Sequence, residues 1–270
     1  MWIAFLLVLT VGASTVRAEY AEVGGLKIYH EVHGEGRPVV FLHGGGWGNI
    51  EDWKAQIPKL ARHYRVIAVE QMGHGRTADD PSRDLSYESM AEDTAALLAK
   101  LGVHSADFIG SSDGGQIALR LAITHPKLVR KVVASGVALG VSALPSDLQE
   151  WIETMKADEV PPEELEAYKR LAPEPEHWPA FFERVRRIWL QPAWGFTEAE
   201  LRQITSPTLI VSGDQDYVPI EHSVALVRLI PSAQLCVLPG TGHDTFETRA
   251  DWLDPIVLAF LEAPMPDPDE

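Results

Sequence analysis

Short apolar runs that end at a turn recur along the chain and alternate with segments of helical pattern. The runs are "PVVFLHG" (38–44), "YRVIAVE" (64–70), "ADFIG" (106–110), "LVRKVVASG" (128–136), "PTLIVSG" (207–213) and "AQLCVLPG" (233–240). A continuous apolar run of this kind suits a strand buried on both faces of a parallel sheet. The repeated strand–helix units therefore predict an α/β fold, with a mostly parallel central sheet covered by helices on both faces.

The alternation is interrupted between residues 141 and 205. This stretch has no strand pattern but is rich in proline and in aromatic residues, including Trp151, Trp178, Trp189 and Trp194. It predicts a small helical cap inserted into one domain that spans 19–263. The tryptophans either pack the cap onto the core or line an apolar pocket, and both interpretations stay open.

The two ends of the chain predict segments outside the domain. Residues 1–18 have a short apolar core, and "VRA" (16–18) fits a small-residue cleavage site before Glu19. This pattern predicts a signal peptide and export to the periplasm or the medium. The acidic, proline-rich tail 264–270 predicts disorder.

The charge of the chain restricts its partners. Asp and Glu number 39 against 23 Lys and Arg, which gives a formal net charge of −16. A surface of this sign repels phosphate backbones and anionic lipid heads, so nucleic-acid binding is disfavoured. The apolar N-terminal run is also short for a membrane span. We therefore expect a small-molecule substrate as partner and no stable membrane insertion.

The stretch "IGSSDGG" (109–115) lies between an apolar run and a helical pattern, and Ser111, Ser112 and Asp113 are all candidate nucleophiles. Gly110 and Gly114 bracket Ser112 in a G-x-S-x-G pattern, in which the serine occupies a strained strand-to-helix turn. Crowding at such a turn requires small residues two positions either side. An aspartate nucleophile would put Ser111 at the crowded position, so the pattern favours Ser112.

Four further motifs follow the order of one enzyme family. "FLHGGGWGN" (41–49) resembles its oxyanion loop, "EQMGHGRT" (70–77) its turn after the next strand, "VSGDQDYVP" (211–219) its acid-bearing loop and "LPGTGHDTF" (238–246) its histidine-bearing loop. With the serine turn, the chain from Tyr20 to Ala263 resembles the α/β-hydrolase superfamily, in the branch of small capped esterases, haloperoxidase-like enzymes and C–C hydrolases.

The resemblance implies a catalytic triad. Ser112 would be the nucleophile, His243 the general base and Asp216, rather than Asp214, the carboxylate that orients the imidazole. The chain order serine, aspartate, histidine is the order of this fold. Asp214 would then be a turn or surface residue.

The resemblance also implies an oxyanion hole built from the backbone N–H groups of Gly45 and Asp113. Gly46 is the alternative to Gly45, because three consecutive glycines blur the register. Trp47 is the aromatic residue expected nearest the substrate, and Gly46 is also expected at the substrate pocket. The side chain of Asp113 is expected to point away along the start of the helix, where the helix dipole favours a carboxylate.

Among the remaining polar residues, Asp244 beside His243 is either a solvated loop residue, which we favour, or a carboxylate that faces the substrate. His43 and His74 are expected to be structural, and the histidines show no metal-ligand spacing on a shared helix face, so no metal site is expected. Glu70 and Gln71 depart from the residues common in the family and are expected to touch the floor of the site. The resemblance implies no cofactor.

Together these features predict a serine hydrolase that cleaves a small, uncharged or lipophilic ester, lactone or related carbonyl compound through an acyl-enzyme. A C–C bond hydrolase or a perhydrolase-type activity would use the same triad. A ligand-binding relative with low turnover is a rival from another class.

Overall fold

The computed structural model describes residues 16–141, 144–191 and 195–265. Most of the expected signal peptide, Trp194 and all but two residues of the acidic tail lie outside these ranges. The strands are β1 (Arg17–Val23), β2 (Leu26–His33), β3 (Pro38–Leu42), β4 (Arg65–Val69), β5 (Ala106–Ser111), β6 (Val129–Ser135), β7 (Thr208–Gly213) and β8 (Ala233–Leu238).

The eight strands form one sheet in the order β1-β2-β4-β3-β5-β6-β7-β8. Strand β2 pairs antiparallel with β1 and with β4, whereas the pairings from β4 through to β8 are parallel. All six apolar runs named above are strands of this sheet. The predicted α/β class with a mostly parallel sheet is confirmed.

The helices are α1 (Ile57–Leu60), α2 (Tyr87–Lys100), α3 (Asp113–Thr124), α4 (Ser146–Thr154), α5 (Pro162–Leu171), α6 (Trp178–Leu190), α7 (Glu198–Leu201), α8 (Ile220–Leu229), α9 (Thr245–Thr248) and α10 (Ala250–Glu262). None of the helices in the described ranges is long and apolar enough to cross a membrane.

Both faces of the central strands are buried, which explains their continuous apolar runs, whereas the edge strand β8 exposes Leu235 and Val237. In β3, Val40 and Leu42 pack in one core cluster, and the intervening Val39 and Phe41 pack in another. Alternate side chains of a strand point to opposite faces, so apolar residues are needed at every position of such a strand. All four side chains are completely buried.

Helices α4, α5, α6 and α7 lie between β6 and β7, with a 3-10 helix at Pro175–His177. We call this stretch the β6–β7 segment. Ion pairs join it to the rest of the molecule: Arg170 donates to both carboxylate oxygens of Glu51, at 3.0 and 2.6 Å, and Arg184 and His177 pair with the buried Asp79. These contacts hold the segment over the carboxyl ends of the strands, where Ser112 lies.

Candidate active site

Ser112 lies in a sharp turn between β5 and α3. Its φ of 53° and ψ of −119° are rare for a residue with a side chain, and the cost is about 1–3 kcal/mol. Its backbone N–H donates to the Ser135 carbonyl at 2.7 Å. A Cβ at Gly110 would overlap the Gly114 carbonyl, and a Cβ at Gly114 would overlap the Leu42 carbonyl. The crowding that the G-x-S-x-G pattern predicts is therefore present.

His243 and Asp216 form a pair in the loops that follow β8 and β7. His243 Nδ1 lies 2.9 Å from Asp216 Oδ1, and the side chain of Asp216 is only 1% exposed. The backbone N–H of Val218 also donates to Asp216 Oδ1 at 2.9 Å. A carboxylate on Nδ1 selects the tautomer in which that nitrogen carries the proton and Nε2 is free to accept one.

His243 Nε2 is buried and has no hydrogen-bond partner in the part of the chain that the structure describes. It lines the same pocket as Ser112. A Cβ at Gly136 would come within 2.6 Å of the imidazole, so the absence of a side chain there makes room for the ring. Asp214, the alternative carboxylate, instead accepts the backbone N–H of Thr241 at 3.2 Å and so joins the two loops.

The backbone N–H groups of Gly45 and Asp113 are the ones expected to form an oxyanion hole. Both residues line the pocket, and neither N–H donates to another protein group among the described residues. Gly46 is not among the residues that line the pocket, unlike Trp47. Gly46 has a φ of 70° and lies against Trp189, and its place at the substrate stays a prediction.

The side chain of Asp113 was expected to point away along the start of α3, and this expectation is wrong. The carboxylate is buried beside two pocket residues; it accepts the Tyr87 hydroxyl at 2.7 Å and the Trp189 indole N–H at 3.0 Å. A Cβ at Gly45 would overlap it, so the glycine leaves space for this carboxylate. Burial raises the pKa of Asp113, although the two donors act in the opposite direction.

His43 and the residues after β4 have structural contacts. His43 Nε2 accepts the Gln71 backbone N–H at 3.0 Å, and burial lowers the pKa of His43 to about 4, so its ring stays neutral. Glu70 is buried and paired with Arg76. Neither Glu70 nor Gln71 lines the pocket, contrary to the expectation that they touch its floor.

Tyr217 contacts His243 and Ser112, and the sequence analysis did not identify it. Its ring stacks on the imidazole of His243, with centroids 4.3 Å apart and planes 25° apart. Its hydroxyl also interacts with the side chain of Ser112. The available signal was its position directly after Asp216.

A pocket of about 420 Å³ is lined by Ser112, His243, Gly45, Asp113 and Tyr217. Aromatic side chains dominate its apolar wall: Trp47, Trp53, Tyr87, Trp151, Trp189, Tyr217 and Phe246. Trp151 and Trp189 come from the β6–β7 segment, while Trp178 is buried in the core cluster. The tryptophans of this segment therefore divide between the two roles left open by the sequence.

Comparison with known proteins places this geometry in a family. Residues 39–255 match the model of the alpha/beta hydrolase family. The 2-hydroxy-6-oxo-2,4-heptadienoate hydrolase of Pseudomonas putida is 32% identical over 247 residues, covering 82% of this chain and 87% of that protein. The non-heme haloperoxidase of Rhodococcus erythropolis is 30% identical over 273 residues, covering 88% and 97%.

Among solved structures, that of Est816, an N-acyl homoserine lactone degrading enzyme, superposes with a TM-score of 0.74 at 28% identity. The match covers 89% of this chain and 99% of that one. The family match extends over most of the chain, and the sheet, the serine turn and the aspartate–histidine pair are consistent with it. This chain belongs to the alpha/beta hydrolase family.

Proposed function

We propose that this hydrolase is a serine enzyme that cleaves a small ester, lactone or related carbonyl compound through an acyl-enzyme. The observation that carries the proposal is that the strained Ser112 turn and His243 line one pocket, with the buried carboxylate of Asp216 paired to His243 Nδ1. The β6–β7 segment acts as the cap that encloses the substrate, and its Trp189 reaches the residue next to the nucleophile.

Acylation follows from the arrangement of the groups. His243 Nε2 takes the proton of the Ser112 hydroxyl as Oγ attacks the carbonyl carbon. The charge that develops on the carbonyl oxygen is stabilised by the N–H groups of Gly45 and Asp113. When the bond to the alcohol breaks, His243 returns the proton to the leaving oxygen.

In deacylation, water takes the place of the serine hydroxyl as the nucleophile, and Ser112 Oγ becomes the leaving group. His243 takes a proton from water, whose oxygen attacks the acyl carbon, and then returns a proton to Ser112 Oγ as the carboxylic acid leaves. Asp216 stabilises the imidazolium in both steps and keeps Nε2 directed at the pocket.

Cleavage of a C–C bond by the same triad is the second candidate. Its support is the likeness to the dienoate hydrolase of P. putida, at 32% identity. The lactone-degrading relative Est816 supports the ester and lactone class instead.

Hydrolysis of 4-nitrophenyl esters with acyl chains of two to twelve carbons tests the proposal. The wild-type protein is expected to release 4-nitrophenolate from short or medium chains, and Ser112→Ala to lose this activity. Ser111→Ala is the matched control, because Ser111 precedes the turn and lies in β5. Activity that survives in Ser112→Ala would contradict an acyl-enzyme at Ser112, and no hydrolysis of any ester would contradict the proposed ester cleavage in favour of the C–C candidate.

We also propose that residues 1–18 are a signal peptide that is removed on export. After cleavage, the residues of β1 from Glu19 to Val23 still have their partners in β2. N-terminal sequencing of the exported protein is expected to begin at Glu19, whereas a retained Met1 would refute the proposal.

A further inference from the structure

Carboxylates line the pocket from several directions. Asp113 lies next to the nucleophile, Asp52 follows the oxyanion loop, Glu163 and Glu164 belong to α5, and Asp244 and Glu247 follow His243 at the start of α9 and within it. No lysine or arginine lines the pocket among the described residues, and His243 is the one other ionisable side chain there besides two tyrosines. The ionisable residues of the pocket are therefore predominantly acidic, and four of them, Asp52, Glu163, Asp244 and Glu247, are exposed.

These carboxylates influence one another. Asp52 is an exposed residue whose carboxylate accepts the Asn49 backbone N–H at 3.0 Å; desolvation by the surrounding protein, with the charges of Glu164, Glu247 and Asp244, raises the pKa of Asp52 to about 7. Burial, followed by neighbouring carboxylates, also raises the pKa of Glu164, and Lys54 offsets only part of this effect. A positive charge within the pocket would relieve this repulsion.

The aromatic wall favours a particular kind of cation. The faces of tryptophan and tyrosine attract organic ammonium groups, and quaternary ammonium ligands are bound by such walls in proteins. Here Trp47, Trp151 and Trp189 line the same cavity as the carboxylates. Nowhere in the described ranges do three or more His, Cys, Asp or Glu side chains form a group that could hold a metal ion. The chemistry of the wall thus fits an alkylammonium group.

We propose that the pocket selects substrates in which the same molecule carries an organic ammonium group and the carbonyl group that is attacked. This inference rests on the proposed function and narrows its substrate class. It departs from the uncharged substrate that the sequence predicts. It also disfavours carboxylate-bearing substrates such as a dienoate, because an anion would meet six acidic side chains without a lysine or arginine among the described lining residues.

A pair of esters of equal shape tests the charge preference. The cationic member is 4-nitrophenyl 4-(trimethylammonio)butanoate, and its neutral isostere is 4-nitrophenyl 5,5-dimethylhexanoate. At low ionic strength kcat/KM is expected to be more than tenfold higher for the cation, and the ratio is expected to fall as salt is added. The anionic 4-nitrophenyl hydrogen adipate is expected to be the poorest substrate. Equal rates for the isosteric pair, or a faster anion, would overturn the proposal.

Charge-neutral variants locate the effect. Glu164→Gln with Glu247→Gln removes two carboxylates of the pocket and is expected to lower the cation-to-neutral ratio at least threefold. Glu92→Gln with Glu198→Gln removes the same charge from side chains that do not line the pocket, and is expected to leave the ratio unchanged. An equal fall in both double variants would refute selection by the pocket.

Binding to Ser112→Ala separates this inference from the proposed function. Choline and its neutral isostere 3,3-dimethylbutan-1-ol are titrated at constant ionic strength, with tryptophan fluorescence as the signal. Choline is expected to bind at least tenfold more tightly. If no ester is hydrolysed but choline keeps this preference, the proposed function fails while the charge selection stands. If esters are hydrolysed but the two ligands bind equally, the charge selection is wrong.

Discussion

Replacement of alanine by glycine usually lowers stability, but the strain at Ser112 predicts the opposite order at this position. The Cβ of any residue at a φ of 53° and a ψ of −119° is unfavourable by about 1–3 kcal/mol, whereas glycine adopts positive φ freely. Ser112→Ala keeps the Cβ and loses the hydroxyl; Ser112→Gly removes both. The free energy of unfolding of the glycine variant is lowered by about 0.5–1 kcal/mol, because glycine has more conformational freedom in the unfolded chain. The glycine variant is therefore expected to be more stable than the alanine variant by about 1 kcal/mol.

Chemical denaturation measures this difference. The midpoint is expected at higher denaturant for Ser112→Gly than for Ser112→Ala, and in thermal unfolding the same difference corresponds to about 2–4 °C. Ser111 in β5 supplies the control, because its φ is not positive and the order of the two variants should be reversed there. If glycine is the less stable choice at Ser112 as well, the turn is not strained and the reasoning is refuted.

Three further changes test other parts of the site. Asp216→Asn is expected to lower kcat roughly 10³–10⁴-fold, since it disturbs the tautomer and the charge of the imidazolium at His243; a loss below tenfold would contradict that role. Gly45→Ala is expected to lower kcat roughly hundredfold, because its Cβ overlaps the carboxylate of Asp113 and displaces the loop; unchanged steady-state kinetics would remove Gly45 from the oxyanion hole. Burial lowers the pKa of His43 to about 4, below its ordinary value of about 6.5, so its contribution to stability is complete above pH 6.5 and is lost as the pH falls towards 4. Between pH 7 and pH 4.5, the free energy of unfolding measured with urea should fall by about 2–3 kcal/mol more for the wild type than for His43→Gln. An equal fall in both proteins would contradict the buried neutral ring.

The sequence predicts the sheet well because the determinants of the sheet are local. In β3, apolar residues at every position from Val39 to Leu42 already require two buried faces, and both faces are found covered. The serine turn is local in the same way. Gly110 and Gly114 lie two positions either side of Ser112, and the side chains they exclude would overlap backbone within that turn and in β3.

The parts that were mispredicted or missed depend on contacts between distant segments. Asp113 turns into the site because Trp189, 76 residues further along the chain, donates to its carboxylate. The three-glycine run reads as an oxyanion loop, but its sequence gives no sign that Gly45 also makes room for a buried carboxylate. Nothing in the charge pattern indicates that Asp52 and Glu164 would influence each other across a pocket.

The central claim is that Ser112 is the nucleophile, and the site of covalent labelling tests it most directly. The protein is treated with a neutral fluorophosphonate, digested, and the modified residue is located by tandem mass spectrometry. The account predicts one adduct, on Ser112, in wild type and in Ser111→Ala, with none in Ser112→Ala. An adduct on Ser111, or labelling that persists in Ser112→Ala, would contradict it.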